Sequence, residues 1–456
     1  MKFQLRAIVL AWLWLGLQLL ALAAPAQEFQ LANGMKVIVK EDHRAPTVAH
    51  MIWYRTGAMD EVNGTTGVAH ALEHMMFKGT THLKPGEFSR RVAALGGREN
   101  AFTSKDFTAY FQQIEKSRLA DVMALEADRM ANLIFDPDEF AQEIKVVMEE
   151  RRLRTDDQPL AQVGEALSAA AFVAHPYHHP IVGWMNDLEN MTVADARAWY
   201  EHWYAPNNAV MVVAGDVDAE EVHQLAQKYF GAIPAKPLPA RKPQEEPPQH
   251  GVRRVTVKAP AENPYVVLAF KAPRLTDVER DDDAHALSVL AAVLDGYDNA
   301  RLNARLVRTG RVANSVGADY SGLSRGPALF TLEGVPAAGV STEELERSLR
   351  AEVQRIADDG VSEAELQRVK TQLVASQIYK RDSIFGQAME IGSFEMRGIS
   401  PAQIDRVIDK LRAVTPQQVQ AVARKYFNDD SLTVATLAPL PLSEKKPAAP
   451  SGALLR

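Results

Sequence analysis

Three residues near position 70 have the types and the spacing that bind a metal ion. His70 and His74 stand four residues apart in the stretch 67–80, and Glu73 lies three residues after His70. If this stretch is helical, both imidazoles project from one face, with the carboxylate at its edge. Two imidazoles at this spacing hold a zinc ion and leave room for water, whose proton a neighbouring carboxylate can take. The pattern predicts a hydrolytic zinc site.

A third ligand is expected from a second helix further along the chain. Glu143 and Glu150 are seven residues apart and share a helix face, with Val146 and Val147 between them. Carboxylates that bracket apolar residues fit poorly with simple solvation. The alternative interpretation is an acidic surface patch that pairs with the arginines that follow Glu150.

The set His70, Glu73, His74 and a glutamate 76 positions after the second histidine resembles the zinc site of the pitrilysin/insulinase family of metallopeptidases. The order H-x-x-E-H is the inverzincin signature, and the family includes the mitochondrial processing peptidases. The resemblance implies that His70, His74 and Glu150 are zinc ligands and that Glu73 is the general base. It also implies that Glu143 orients a ligand or the water.

Two further expectations depend on this resemblance. Glu149 is the nearest rival as third ligand, and Glu150 is favoured because it shares a helix face with Glu143. The segment beginning at Asn100 and Ala101 corresponds to an edge strand beside the zinc, where main-chain hydrogen bonds would hold an extended peptide substrate. The alternative is an ordinary strand that binds nothing.

The second half departs from the family pattern at its substrate-binding groups. The resemblance implies an Arg and a Tyr seven residues apart, and the matching stretch is 300–316. Arg308 is present, but Asn314 stands where the Tyr is expected, at a spacing of six, and Tyr320 is out of register. Such a pair supplies charge and hydrogen bonds to an acyl oxygen or to the substrate backbone. We therefore expect Arg308 to bind substrate, and we expect a dimer, either of identical chains or with a zinc-free relative that carries the Arg/Tyr pair.

The chain reads as two similar halves around a linker. Residues 192–214 and 415–437 both show a helix, an aromatic pair, an Asn/Asp turn and an apolar strand. Residues 234–250 are rich in proline and charge, which is typical of a semi-extended linker. We expect a zinc-binding domain at 27–233, a homologous domain without zinc at 251–442 and a disordered tail at 443–456. The predicted fold class is α+β: two homologous domains, each a mixed, largely antiparallel sheet with helices, which by the resemblance form a clam-like chamber.

Turn signals and apolar periodicity place the elements around the site. Residues 28–57 read as strands with a hairpin turn at Asn33-Gly34 and a third strand at 47–54, and residues 99–111 read as one further strand. Helices are expected at 117–134, 138–155 and 164–174. The histidine cluster at 175–180 is either a surface loop or a second metal site, and we favour the surface loop.

The start of the chain and its composition restrict the location and the partners. Residues 1–26 read as a cleaved signal peptide with basic Lys2 and Arg6, an apolar run at 7–22 and small-x-small cleavage sites. The alternative is an uncleaved N-terminal anchor. We expect a periplasmic or secreted protein with no stable membrane span after signal removal. The 456 residues contain no cysteine and carry a net charge of -7, so disulfides are excluded and nucleic acid is not an expected partner.

The sequence predicts a zinc metalloendopeptidase that hydrolyses peptides or unfolded polypeptides, with Zn²⁺ as cofactor. Two alternatives stay open. One is a non-catalytic assembly subunit of a paired peptidase complex, against which the complete set of four zinc-site residues argues. The other is a zinc hydrolase of non-peptide substrates.

Overall fold

The computed structural model describes residues 25–442. The predicted signal peptide, apart from its last two residues, and the predicted tail therefore lie outside the described residues. Within 25–442 the chain forms two mixed, largely antiparallel sheets covered by helices, which confirms the α+β class with two similar halves. The exact domain boundaries stay a prediction. No helix in this part of the chain has the length and apolarity to cross a membrane.

The first sheet has six strands in the order β1-β2-β6-β3-β5-β4. Its strands are β1 (Gln27–Gln30), β2 (Lys36–Glu41), β3 (Thr47–Tyr54), β4 (Arg98–Thr103), β5 (Thr108–Glu115) and β6 (Ala209–Gly215). Only β2 and β6 are parallel neighbours in this sheet. β4 pairs with β5 on one side and is the edge strand.

The prediction of a single strand at 99–111 is wrong, because a turn at 104–107 divides it into β4 and β5. The Ser104 hydroxyl accepts hydrogen bonds from the N–H groups of Asp106 and Phe107, and the Ser104 N–H donates to the Phe107 carbonyl. A serine side chain that bonds its own backbone in this way stabilises a turn.

The second sheet repeats the path of the first with five strands in the order β7-β11-β8-β10-β9. Its strands are β7 (Arg253–Pro260), β8 (Tyr265–Ala272), β9 (Ala313–Tyr320), β10 (Ala328–Pro336) and β11 (Leu432–Leu440). β7 and β11 are parallel, as β2 and β6 are, and the remaining pairs are antiparallel. The predicted internal repeat is therefore present in the topology.

Helices cover both sheets. In the first half they are α1 (Val68–Met75), α2 (Glu87–Ala94), α3 (Leu119–Asn132), α4 (Pro137–Arg151), α5 (Pro159–Ala171), α6 (Met185–Asn190), α7 (Val193–Trp203) and α8 (Ala219–Phe230). In the second half they are α9 (Asp282–Asp295), α10 (Thr342–Asp359), α11 (Glu363–Tyr379), α12 (Ile384–Met396), α13 (Ile404–Ala413) and α14 (Pro416–Tyr426). α4 continues into a π-helical turn at Arg152–Asp156. The helix expected at 164–174 begins earlier, with Pro159 in its first turn, where proline is tolerated.

Each half covers the sheet of the other half with one of its helices. α12 from the second half packs its apolar face on Trp53 and its neighbours in the first sheet. α5 from the first half packs Val163 and Leu167 on the second sheet. The segment 234–250 that joins the halves has neither helix nor strand, as expected of a linker. Its Glu246 is bound to the N–H groups of Val173 and Ala174.

Candidate metal centre

The start of α1 is fixed by two carboxylates. Glu61 accepts hydrogen bonds from the N–H groups of Gly67 and Ala69 at 2.8 and 2.9 Å. Asp187 accepts from the N–H and the hydroxyl of Thr66 at 3.1 and 2.6 Å. The bonds from Gly67 and Ala69 satisfy free donors at the helix N-terminus, and the bonds from Thr66 hold the residue that precedes it. Gly67 itself has φ of 86°, a conformation that glycine adopts without strain.

α1 and α4 bring three predicted ligands together. One ligand atom each from His70, His74 and Glu150 lies within 4.8 Å of the others, and among the described residues this is the group of side chains that could hold a metal ion. Glu150 Oε2 lies 3.3 Å from His74 Nε2 and 3.6 Å from His70 Nε2. The rival Glu149 is exposed and pairs with Arg152 instead. The geometry therefore places Glu150, and not Glu149, with the two histidines.

The donor set fits a zinc ion. Two imidazole nitrogens and one carboxylate oxygen are the ligands of many catalytic zinc sites, and they leave one position open. His70 is buried, and this burial, together with the neighbouring His74, lowers its pKa to about 4. The imidazole of His70 is therefore neutral near pH 7, which is the form that binds a metal.

Carboxylates and cations surround the ligands. Burial alone would lower the pKa of His74, but its contacts with Glu143 and Glu150 outweigh burial and raise that pKa to about 9. Glu143 Oε1 lies 2.8 Å from His74 Nδ1, which fixes the orientation of the ring, and its other oxygen pairs with Lys78. Arg154 pairs with Glu150 Oε1 and leaves Oε2 facing the imidazoles.

Glu73 is buried beside the ligands and is held by the edge strand. Thr103, the last residue of β4, donates its hydroxyl hydrogen to Glu73 Oε2 at 2.5 Å. Burial raises the pKa of Glu73, while the hydrogen bond from Thr103 opposes that rise. Thr103 and Lys78 were not predicted from the sequence, and Arg154 was expected only as one of the arginines that would pair with an acidic surface patch. The two cations had a visible signal, because each follows a predicted ligand by four residues, one helical turn.

The predicted peptide-binding segment lies at the edge of the first sheet. Asn100 and Ala101 are on β4, opposite Phe111 and Tyr110 of β5, and within residues 25–442 no strand pairs with the other side of β4. Its end at Thr103 reaches Glu73. The strand is therefore beside the candidate centre, and its role in binding substrate stays a prediction.

Arg308 and Asn314 lie in the second half, and their side chains form hydrogen bonds with other residues of that half. Arg308 is exposed in the π-helical segment Asn303–Thr309, and it donates to Asn299 Oδ1 at 3.4 Å. The Asn314 amide on β9 donates to the Pro336 carbonyl at 3.3 Å, and the hydroxyl of Tyr320 donates to the Pro273 carbonyl at 2.5 Å. The predicted role of Arg308 in substrate binding stays a prediction.

The histidine cluster at 175–180 forms a loop, but the expectation of a surface loop is wrong. His175, Tyr177 and His179 are buried. His175 Nδ1 accepts the Tyr177 N–H at 3.1 Å, and His179 Nε2 lies 3.0 Å from Asn63 Oδ1. The loop is buried because Gly326 of the second half packs on it so closely that a Cβ there would lie 2.4 Å from His175.

Comparison with known proteins agrees with this arrangement. Residues 36–183 match the family described as Insulinase (Peptidase family M16), and residues 190–373 match the one described as Peptidase M16 inactive domain. The chain is 31% identical over 420 residues to "Zinc protease PqqE" of Helicobacter pylori, a match that covers 90% of this chain and 92% of that protein. It is 27% identical over 424 residues to "Mitochondrial-processing peptidase subunit beta" of Blastocladiella emersonii, covering 91% of this chain and 89% of that subunit.

A solved structure shows the same fold. The crystal structure of a protease from Helicobacter pylori matches with a TM-score of 0.86 and 29% identity, and the match covers 91% of this chain and 100% of that one. This likeness confirms the clam-like two-domain fold. Together with the sequence matches over both halves, it shows that the chain belongs to the insulinase family, peptidase family M16.

Proposed function

We propose that this protein is a zinc metalloendopeptidase that hydrolyses peptides or unfolded polypeptides. The observation that carries the proposal is the meeting of His70, His74 and Glu150 from two separate helices, with their ligand atoms within 4.8 Å of one another. Relatives named zinc proteases over nearly the whole chain support the same activity.

His70, His74 and Glu150 would hold the zinc ion, which supplies Lewis acidity that lowers the pKa of water toward neutrality. Glu143 would act through His74, because its contact at 2.8 Å with Nδ1 fixes which nitrogen faces Glu150. Lys78 binds the second oxygen of Glu143 and keeps that carboxylate in place.

Glu73 would be the general base. Its carboxylate is buried beside the ligand set, next to where an attacking water would stand, and only one of its oxygens is bound to Thr103. The carboxylate would take the proton of the water and return it to the leaving amine.

The substrate would bind as an added strand. β4 offers free main-chain groups at the edge of the first sheet, and Asn100 and Ala101 lie in that strand. Such pairing requires an extended chain, so the family's closed chamber would admit unfolded polypeptides and exclude folded proteins.

A partner chain would complete the substrate site. Asn314 cannot supply the phenol that the family's Arg/Tyr pair requires, although Arg308 could still contact the substrate of this or a neighbouring chain. We propose that the protein works as a dimer, with an identical chain or with a zinc-free relative, and that it is periplasmic or secreted.

The test is cleavage of an unstructured peptide together with elemental analysis of the protein purified without chelator. Wild type is expected to contain about one zinc ion per chain and to cleave the peptide. Glu73→Gln should keep the zinc and lose cleavage, whereas His70→Ala should lose both. Zinc content below about half an ion per chain in wild type would favour a scaffold subunit, and zinc without peptide cleavage would favour a hydrolase of other substrates.

A further inference from the structure

The turn between β4 and β5 is bound by the second half of the molecule. Asp106, in this turn, is 3% exposed. Its carboxylate accepts hydrogen bonds from Arg397 Nε at 3.1 Å and from the Arg325 N–H at 3.2 Å, and also from the Tyr177 hydroxyl. Both arginines belong to the second half, and the guanidinium of Arg397 forms the ion pair with this carboxylate, so a buried charge of the first half depends on the second half for its balance.

Arg325 also holds the turn directly. Its Nη1 donates to the Asp106 carbonyl at 2.6 Å, and its guanidinium pairs with Asp60 at 2.9 and 3.2 Å. The guanidinium of Arg397 lies 4.9 Å from the centre of the Phe107 ring. The turn is therefore clamped by two cations and by main-chain contacts.

The turn restricts the position of Thr103, because the backbone of the turn is itself held by hydrogen bonds at every residue. The Ser104 and Lys105 carbonyls accept the N–H groups of Ala58 and Met59 at 3.1 and 2.9 Å. Gly57 packs so closely on the turn that a Cβ there would lie 2.5 Å from the Ser104 carbonyl oxygen. Thr103 is three residues from Asp106 and has little freedom to move independently of it.

We propose that the second half positions the hydrolytic base of the first half: Arg325 and Arg397 hold Asp106, the turn holds Thr103, and the Thr103 hydroxyl holds Glu73. Thr103 and Asp106 are positioning residues and do not touch the substrate's reacting atoms. The inference rests on the proposed function, since it assigns a role in the same hydrolysis. It also accounts for Asp106, which the zinc chemistry alone leaves without a role.

The first test changes the Thr103 hydroxyl. Thr103→Val keeps the size of the side chain and removes the donor, so kcat for peptide cleavage should fall by about 10-fold or more, with KM and zinc content within about twofold of wild type. Thr103→Ser restores the donor and should recover most of kcat. Unchanged kcat in Thr103→Val, or no recovery in Thr103→Ser, would overturn the inference.

The second test asks whether the clamp acts through Thr103. As a single change, Arg397→Gln should lower kcat. When it is added to Thr103→Val, kcat should fall by no more than about twofold further, because both changes act by releasing the Glu73 carboxylate. Multiplying effects in the double variant would show that the clamp has only a general structural role and would overturn the proposal. Lys36→Met is the matched control, because Lys36 makes a 2.9 Å ion pair with Glu395 across the same two halves without touching the turn. It should leave kcat unchanged.

A measurement without turnover separates this inference from the proposed function. Amide hydrogen exchange of residues 98–107 should be faster in Arg397→Gln than in wild type, and unchanged in Lys36→Met. If wild type cleaves no peptide, the proposed function fails whatever the exchange shows. If wild type cleaves peptide but the exchange of residues 98–107 is the same in Arg397→Gln, the positioning inference alone fails.

Discussion

At the scale of single residues, Glu73 and His70 are three positions apart on one helix, and their proposed roles can be tested separately. Glu73→Gln removes the proton acceptor and leaves the three ligands, so cleavage should fall by about 100-fold or more with zinc retained. The matched variant His70→Ala removes a proposed ligand and should lose both the zinc ion and peptide cleavage. Peptide turnover and elemental analysis of the same samples measure this. Full activity in Glu73→Gln would exclude Glu73 as the base.

Glu143 should act on metal affinity. Its carboxylate orients the His74 ring, so Glu143→Gln should weaken zinc binding by about 10- to 100-fold in a chelator competition. Glu149→Gln is the control, because Glu149 lies on the same helix but is exposed and pairs with Arg152. Equal affinities in the two variants would show that Glu143 does not support the ligand.

The sequence predicted which of the proposed ligands would lie together, because spacing along a helix determines which side chains share a face. His70, Glu73 and His74 could be grouped in this way, and Glu150 followed from its spacing to Glu143. Helix spacing could not identify Thr103, because Thr103 is thirty residues from Glu73 and lies beside it only once the sheet has formed.

At the scale of elements, the position of α1 depends on the approach of its first turn to the loop at 182–183. A Cβ on Gly67 would lie 2.4 Å from the Val182 carbonyl oxygen, so Gly67→Ala should displace the helix and weaken zinc binding. Gly64→Ala is the control: Gly64 has a similar φ, but nothing lies within 4 Å of the added Cβ. Gly64→Ala should cost about 1–2 kcal/mol and leave zinc affinity intact. Zinc titration and denaturant unfolding distinguish the two.

Glu61, which binds the N-terminus of α1, should make the free energy of unfolding depend on pH. Burial raises the pKa of Glu61 from 4.5 to about 8, against the opposing hydrogen bonds from Gly67 and Ala69. The folded protein therefore keeps a proton that the unfolded chain releases, and the free energy of unfolding falls as pH rises from about 4.5 to about 8. Glu61→Gln cannot titrate, so its stability should fall less than that of wild type between about pH 5.5 and pH 8 in urea unfolding. An identical fall in both proteins would contradict the shift.

Helices and strands could be predicted where one hydrophobic pattern ran without interruption. Unrecognised turns limited the prediction elsewhere. The strand expected at 47–54 is β3 (Thr47–Tyr54) without change. The segment 99–111 is predicted as one strand because its aromatic residues are typical of strands. The bonds of the Ser104 hydroxyl show the turn that divides it.

At the scale of the whole molecule, α5 packs on the second sheet and α12 packs on the first. Because each half covers the sheet of the other, we expect the protein to unfold in a single transition. A Cβ on Gly392 of α12 would lie 2.1 Å from Trp53 of the first sheet, so Gly392→Ala should lower the melting temperature of the entire protein. Gly164→Ala on α5 is the control: Gly164 is exposed with nothing within 4 Å of the added Cβ, and the change should stabilise by up to about 1 kcal/mol. Calorimetry with two separate transitions would contradict this coupling.

The repeat of the two halves was visible in the sequence, but their mutual packing was not. Matching helix–turn–strand patterns at 192–214 and 415–437 predicted two similar units. The burial of the 175–180 loop and of Asp106 depends on contacts between residues more than a hundred positions apart, such as Asp106 and Arg325. No local pattern encodes such contacts.

The central claim is that His70, His74 and Glu150 bind one zinc ion. Anomalous X-ray scattering at the zinc edge, from crystals grown without added metal, tests it most directly. We expect one strong peak per chain within about 2.0–2.2 Å of the Nε2 atoms of both histidines and of a Glu150 oxygen. A protein that cleaves peptide but shows no peak at these three side chains would contradict it.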